Sequence, residues 1–159
     1  MDTGHLLTIA RQLIDDLTFC FAITAGDTGD SSARIVQPRK LQDDWTVDFL
    51  TNRRCRKVRE IEASGRMTLA WQHEADRSYV TLTGRAVIVE DVDLKRSIWS
   101  PAADRWNPGG PEDPDVVFAR LATERIELWS AVRDVMPPPM GYSAAVLIRD
   151  GAGWRYEAT

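Results

Sequence analysis

Residues 49 to 59 read Phe-Leu-Thr-Asn-Arg-Arg-Cys-Arg-Lys-Val-Arg: a strand ending in small hydrogen-bonding groups, then a cluster of cations, then the start of a helix. A helix N-terminus presents unpaired N–H groups and partial positive charge, so an anion fits there naturally. Thr51 could donate a hydroxyl, Arg56 can grip phosphate oxygens bidentately, and Lys57 adds a point charge. The same spacing also fits a solvated basic helix face, with Arg59 and Glu62 as an ordinary i,i+3 surface pair. A second candidate is Ser32-Ala33-Arg34-Ile35-Val36-Gln37. An arginine among small and β-branched strand residues must put its charge somewhere. It either extends to solvent or reaches the same anion.

Other constellations fail. His5 and His73 stand apart from each other and from any Cys or carboxylate at ligand spacing, so no metal site is expected. The chain lacks a Gly-x-Ser-x-Gly elbow, a phosphate loop ending in Gly-Lys-Ser/Thr, and a Gly-x-Gly-x-x-Gly turn. Cys55 has no histidine beside it and is not expected to act as a nucleophile. No residue presents itself as a general acid or base, so the catalytic residues stay unassigned.

The elements that must position these groups follow from periodicity. Leu6, Ile9, Leu13, Ile14 and Leu17 recur at helical spacing, with Asp2 or Thr3 as the cap. Strands are predicted over 18–25, 32–37 and 45–51, with the turn 26–31 between the first two. A helix follows over 55–63, stopped by Gly65. Strands are predicted over 67–72 and 79–90, and Gly84 inside the second marks a bulge or a close backbone approach. A short helix starts at Asp91 or Asp93 and runs to Trp99, and residues 101–114 read as a Pro/Gly loop. Two further strands, 116–121 and 125–129, flank a turn at Thr123-Glu124. Pro137-Pro138-Pro139 is a stiff connector, and 144–148 with 154–157 form a hairpin around Asp-Gly-Ala-Gly. Many short strands with scattered helices imply a mainly β fold: an antiparallel barrel or sandwich with added helices.

Composition bounds the reading. The 159 residues carry 20 Lys+Arg against 24 Asp+Glu, a net charge of −4. That length fits one domain spanning 1–159, or a chain that needs a second copy to finish its core. The acidic balance argues against a nucleic-acid partner. No apolar run is long enough to cross a membrane, and the N-terminus leads into no signal-peptide core. Cys20 and Cys55 make no disulfide framework, so a cytoplasmic location is expected. Of the 20 basic residues 17 are arginines, which a GC-rich genome explains most simply.

In order along the chain come Arg34-Ile-Val, Phe49-Leu-Thr-Asn-x-x-Cys-Arg-Lys57, Met67-Thr-Leu-Ala-Trp-Gln72 and Tyr79-Val-Thr-Leu-Thr-Gly-Arg-Ala86. Trp99-Ser-Pro101, Trp106-Asn-Pro-Gly-Gly-Pro and Glu127-Leu-Trp129 complete the series. This series, over residues 6–131, resembles the pyridoxamine 5′-phosphate oxidase-like split-barrel flavoproteins, and in particular the general stress protein 26 branch. The resemblance implies a six-stranded, Greek-key-like antiparallel split barrel that forms a homodimer and holds FMN between the subunits. It implies that Arg34, Cys55, Arg56 and Lys57, with Thr51 beside them, hold the ribityl phosphate. It places the backbone of Ile35, Val36 and Leu50 against the flavin ring, Tyr79 where the oxidases put a flavin-contacting Gln, and Trp106 over the pocket from the partner subunit. Residues 137–159 fall outside it as a C-terminal hairpin extension.

Two positions depart from the pattern. Cys55 replaces the usual Ser, exchanging a good hydroxyl donor for a weak thiol donor, and Asn107 stands where this branch commonly has Phe. The C-terminus also carries only the beginning of the oxidases' substrate signature, which argues against pyridoxamine phosphate as substrate. The resemblance thus implies an FMN-dependent oxidoreductase acting on a small-molecule substrate or electron donor. The same fold binding a deazaflavin as a reductase, and a non-catalytic flavin-binding stress protein, are the alternatives.

Overall fold

The computed structural model describes residues 1–139 and 141–158; positions 140 and 159 of the expected extension lie outside the described residues. Helix α1 (Thr3–Asp15) is capped by the Asp2 carboxylate, which accepts from the Gly4 N–H. Its buried stripe of Leu6, Ile9, Ala10, Leu13 and Ile14 lies on the core. Then come β1 (Cys20–Ala25), β2 (Ser31–Val36), β3 (Thr46–Asn52) and α2 (Arg56–Ser64). Gly65 closes α2 at φ 66°, a left-handed conformation that a glycine adopts without strain. After β4 (Arg66–His73) and β5 (Ser78–Val89) come two short helices, α3 (Val92–Ile98) and α4 (Pro101–Trp106). The chain ends in β6 (Val116–Ser130), β7 (Ala145–Asp150) and β8 (Gly153–Glu157).

The fold is mainly antiparallel β with a few helices, as the periodicity implied. The eight strands form one sheet in the order β2-β1-β4-β5-β6-β7-β8, with β3 paired to β6, and this sheet is not closed. The resemblance implied six strands; the structure has eight, the last two, β7 and β8, forming the expected hairpin. The inner face carries Phe49, Leu69, Leu82, Leu121 and Ile126, all fully buried. Among the described residues no helix is long and apolar enough to cross a membrane.

Two expectations need correction. The predicted turn at Thr123-Glu124 is no turn, because β6 runs unbroken through it. Thr83 pairs with Arg125 but Gly84 with Thr123, so Glu124 is left over as a β-bulge. The turn-forming pair bends the strand instead of ending it, and the Thr123 hydroxyl is occupied in donating to the Trp45 carbonyl at 2.7 Å. The Pro/Gly stretch 101–114 is likewise not all loop. Ser100 caps α4, accepting from the Ala103 N–H, and Pro101 occupies its first turn, where a missing N–H is harmless.

The bulge explains Gly84. A Cβ there would overlap the Ala122 carbonyl oxygen and crowd the Glu124 N–H at 2.9 Å, and backbone cannot step aside as a side chain can. Gly84→Ala is therefore expected to cost about 1–3 kcal/mol through overpacking, read as a lowered midpoint in urea denaturation. An unchanged midpoint would mean that the ladder shifts freely at the bulge.

Candidate functional site

The cationic cluster of the sequence is assembled at the junction of β1, β2 and α2. Arg34 pairs in register with Ala22, which belongs with Leu69 to the inner face. Its guanidinium runs along β1 and donates from Nη1 to Thr24 Oγ1 at 2.6 Å, to the Ser32 carbonyl at 3.2 Å and to the Ala22 carbonyl at 3.3 Å. Thr24 in turn donates to Glu60 Oε2 at 2.5 Å. From the first turn of α2, Arg56 Nε meets Glu60 Oε1 at 3.1 Å, and Arg34 Nη2 lies 3.8 Å from the same carboxylate. Burial lowers the Arg34 guanidinium from its ordinary value, with the Glu60 charge opposing and the Arg56 cation assisting. Two residues 22 positions apart thus share one carboxylate.

Cys55 is the N-cap of α2 in extended conformation, and its side chain makes no capping bond. It directly precedes Arg56 in the chain, which places it at the same end of the helix. Lys57 sits half-buried one residue beyond Arg56. The turn feeding α2 is tied down from both sides. The Asn52 side chain accepts from the Arg54 N–H, the Arg53 N–H donates to the Asp115 carbonyl, and Arg54 Nε lies 2.7 Å from the Asp115 carboxylate. Arg53 also reaches Glu90 at 3.1 Å, and it is Arg53, not Arg59, that Glu62 approaches, at 3.8 Å.

On β3, Thr51 continues the inner face of Val47 and Phe49, while Leu50 lies on the opposite face with Asp48. Asp48 is a buried carboxylate between two arginines: Arg39 Nε at 2.6 Å and Arg120 Nε at 3.1 Å. The Arg39 guanidinium also lies over the ring of Phe118, the cross-strand partner of Leu50, at 5.5 Å. Sequence reasoning missed this clamp, along with Thr24 and Glu60. The i,i+4 spacing of Arg56 and Glu60 was a usable signal; nothing local links Thr24 to Glu60 or Arg39 to Arg120.

The remaining nominated residues lie elsewhere in the protomer. Ile35 is 66% exposed and pairs across the ladder with Phe21, itself 45% exposed, on the outer face of the sheet. Val36 turns inward and is buried. Tyr79 is half-buried and stands on the outer face, since it pairs with exposed Gln72 and lies two residues from Thr81, whose row runs through Ala70 to Phe21. Its phenol donates to Glu127 at a long 3.5 Å, and burial, then the Glu127 charge, raises it above the ordinary tyrosine value. Trp106 ends α4, 78% exposed, with the Arg105 guanidinium 5.9 Å from its ring. Within one chain, then, Arg34, Cys55 and Arg56 come together, with Lys57 next in sequence, whereas Tyr79 and Trp106 do not join them.

The family model for pyridoxamine 5′-phosphate oxidase-like proteins matches residues 7–147. The chain belongs to this family. General stress protein 26 of Bacillus subtilis (strain 168) is 29% identical over 92 residues, 56% of this chain and 65% of its own length, so the match spans just under two thirds of that relative. Among solved structures, a Clostridium acetobutylicum protein related to general stress protein 26 superposes with a TM-score of 0.73 at 17% identity, covering 96% of this chain and all of its own. An FMN-binding protein of Nostoc punctiforme PCC 73102, related to pyridoxamine 5′-phosphate oxidase, gives a TM-score of 0.70 at 16% identity and covers 99% and 95% of the two chains. At such identities these two structures establish likeness of fold. The family match takes in every nominated residue and reaches into β7, further along the chain than the 6–131 read from motifs, and it leaves β8 outside.

In this family member the two cysteines face different surroundings. Cys55 is partly exposed, whereas Cys20 is buried on the inner face of β1, and burial pushes its thiol up from 9.0 to about 12. Below pH 9 both folded and unfolded thiols are protonated. Between pH 9 and 12 only the unfolded chain ionises, so unfolding free energy should fall by about 1.4 kcal/mol per pH unit from this group. Cys20→Ala should lack that component. Equal alkaline slopes for the two proteins in denaturation series at pH 9–11 would contradict it.

Proposed function

We propose that this chain is an FMN-binding oxidoreductase that works as a homodimer, with its phosphate site at the N-terminus of α2. The observation that carries this reading is the convergence of the Arg34 and Arg56 guanidinium groups, from β2 and α2, at the helix end that Lys57 also flanks. The donor set fits a phosphate: fork-shaped donors from two elements, a half-buried lysine, and a helix start whose cap side chain is uncommitted. When bound, FMN would supply hydride and electron transfer to a small-molecule partner.

The protein's part is binding and orientation. Arg34 is fixed by three hydrogen bonds, so little side-chain freedom is lost when it meets an anion. The Asp115 contacts with Arg53 and Arg54 hold the turn that aims α2. Strand β2 ends the sheet order and pairs only with β1 among the described strands, which leaves backbone N–H and C=O groups along its outer edge for a flavin ring beside Ile35 and Val36. The Arg39–Asp48–Arg120 clamp sets the far side of β3, behind Leu50.

Dimerisation is supported by the outer face of β1 and β2. Phe19, Phe21 and Ile35 are exposed there in a contiguous apolar patch at a sheet edge, of the kind that marks association. A second copy covering it would also close over Tyr79, which shares that face, and would exclude water from the ring.

Protein purified from expression cells should show the visible absorption of a flavin, or should quench FMN fluorescence on titration; neither signal appearing would overturn the reading. Arg34→Ala should weaken FMN binding about ten- to a hundredfold, the range for one lost hydrogen bond to a charged group. Cys55→Ser should tighten it by restoring a hydroxyl donor. Flavin bound without any NAD(P)H oxidation would favour a non-catalytic binding protein, and tighter binding of a deazaflavin than of FMN would favour the reductase alternative. In size-exclusion chromatography Ile35→Glu should elute as a monomer and should bind FMN more weakly than the native dimer.

A further inference from the structure

Glu60 occupies the place between the cations where an incoming anion would have to go. Its side chain is only 11% exposed, yet it makes contacts with both arginines and with Thr24. The two arginines are held differently. Arg34 has three acceptors besides Glu60: the Ser32 and Ala22 carbonyls and the Thr24 hydroxyl. Arg56 is 61% exposed and its described partner is Glu60, one helical turn away.

We propose that Glu60 is the internal counter-anion of this site: it holds Arg56 while no ligand is bound, and Arg56 exchanges the carboxylate for phosphate when one arrives. The inference rests on the phosphate site proposed above and adds what sets its selectivity. Arg34 and Arg56 bring two positive charges, Glu60 offsets one, and the N-terminus of α2, where Lys57 follows Arg56 in sequence, adds further positive potential. A terminal phosphomonoester carries about −1.5 to −2 at pH 7 and is drawn to that positive site more strongly than a monoanion. A phosphodiester carries a single negative charge and gains less. The carboxylate also suppresses occupancy by weakly held monoanions, which cannot draw Arg56 away from it. Because Thr24 is buried and donates to Glu60 from below, the carboxylate stays anchored after Arg56 leaves, and the exchange moves one exposed side chain only.

The test uses Glu60→Gln, which keeps the acceptor for Thr24 and removes the charge, with Glu62→Gln on the same helix as a control for general charge loss. Titrations with FMN and riboflavin at low ionic strength, and thermal shifts with inorganic phosphate, are compared with the native protein. Glu60→Gln should bind FMN about two- to fivefold more tightly, a gain of the size of one partly exposed charge interaction. Riboflavin, which has no phosphate, should bind unchanged. Inorganic phosphate should raise the unfolding temperature of Glu60→Gln more than that of the native chain. The gain should shrink when Arg56→Gln is already present, which keeps the test readable if the single variant folds poorly. FMN binding that is unchanged or weaker in Glu60→Gln, a gain shared equally by riboflavin, or an equal gain in Glu62→Gln would overturn the proposal. If neither protein binds FMN but phosphate still stabilises Glu60→Gln more, the flavin reading fails and the counter-anion stands. If phosphate makes no difference between them, the counter-anion fails as well.

Discussion

The architecture turns on one crowded point in the β5–β6 ladder. There the Ala122 carbonyl passes through the space a side chain of residue 84 would fill, and the extra residue Glu124 bends β6. The bend divides a 15-residue strand into two working halves. Its first half, from Val116 to Ala122, pairs with β3; its second, from Arg125 to Leu128, pairs with β7. A straight strand of that length could not serve both. The site therefore depends on a glycine some way from it, because β3 delivers the chain to the start of α2.

Around the site the electrostatics follow one pattern. Carboxylates are placed between arginines: Glu60 between Arg34 and Arg56, Asp48 between Arg39 and Arg120, Glu124 between Arg66 and Arg85. The arginines of the last are exposed, so it contributes little to stability. Asp48 is buried enough that removing it would leave Arg39 and Arg120 facing each other with no acid between them. The Asp48 clamp ties the outer side of β3 to Arg39 and Arg120, whereas the Glu60 arrangement leaves one arm, Arg56, at the surface.

Much of this was legible in the residues. The cap at Asp2, the stop at Gly65, the close approach at Gly84 and the hairpin at Asp150-Gly-Ala-Gly153 each rest on local chemistry, and each stands in the structure. Where local signals misled, a distant group had taken over. Thr123-Glu124 looks like a turn, but the Trp45 carbonyl, 78 positions away, occupies the threonine hydroxyl and the strand continues. The Pro/Gly stretch after Trp99 looks irregular, yet a serine cap followed by proline suffices to start α4.

The sequence by itself determined most of the elements, the density of cations at the start of α2, and the ordered series of short motifs. These are read from neighbours a few positions apart, where spacing is geometry. Only the tertiary structure decided which cations meet. Arg34 joins Arg56 because β2 folds back on β1, and β1 carries Thr24 beneath the helix that bears Glu60. It also decided that Ile35 and Tyr79 share the outer face while Arg34 lies on the inner one. A strand alternates sides at every residue, and which side becomes the core is set by what packs against it.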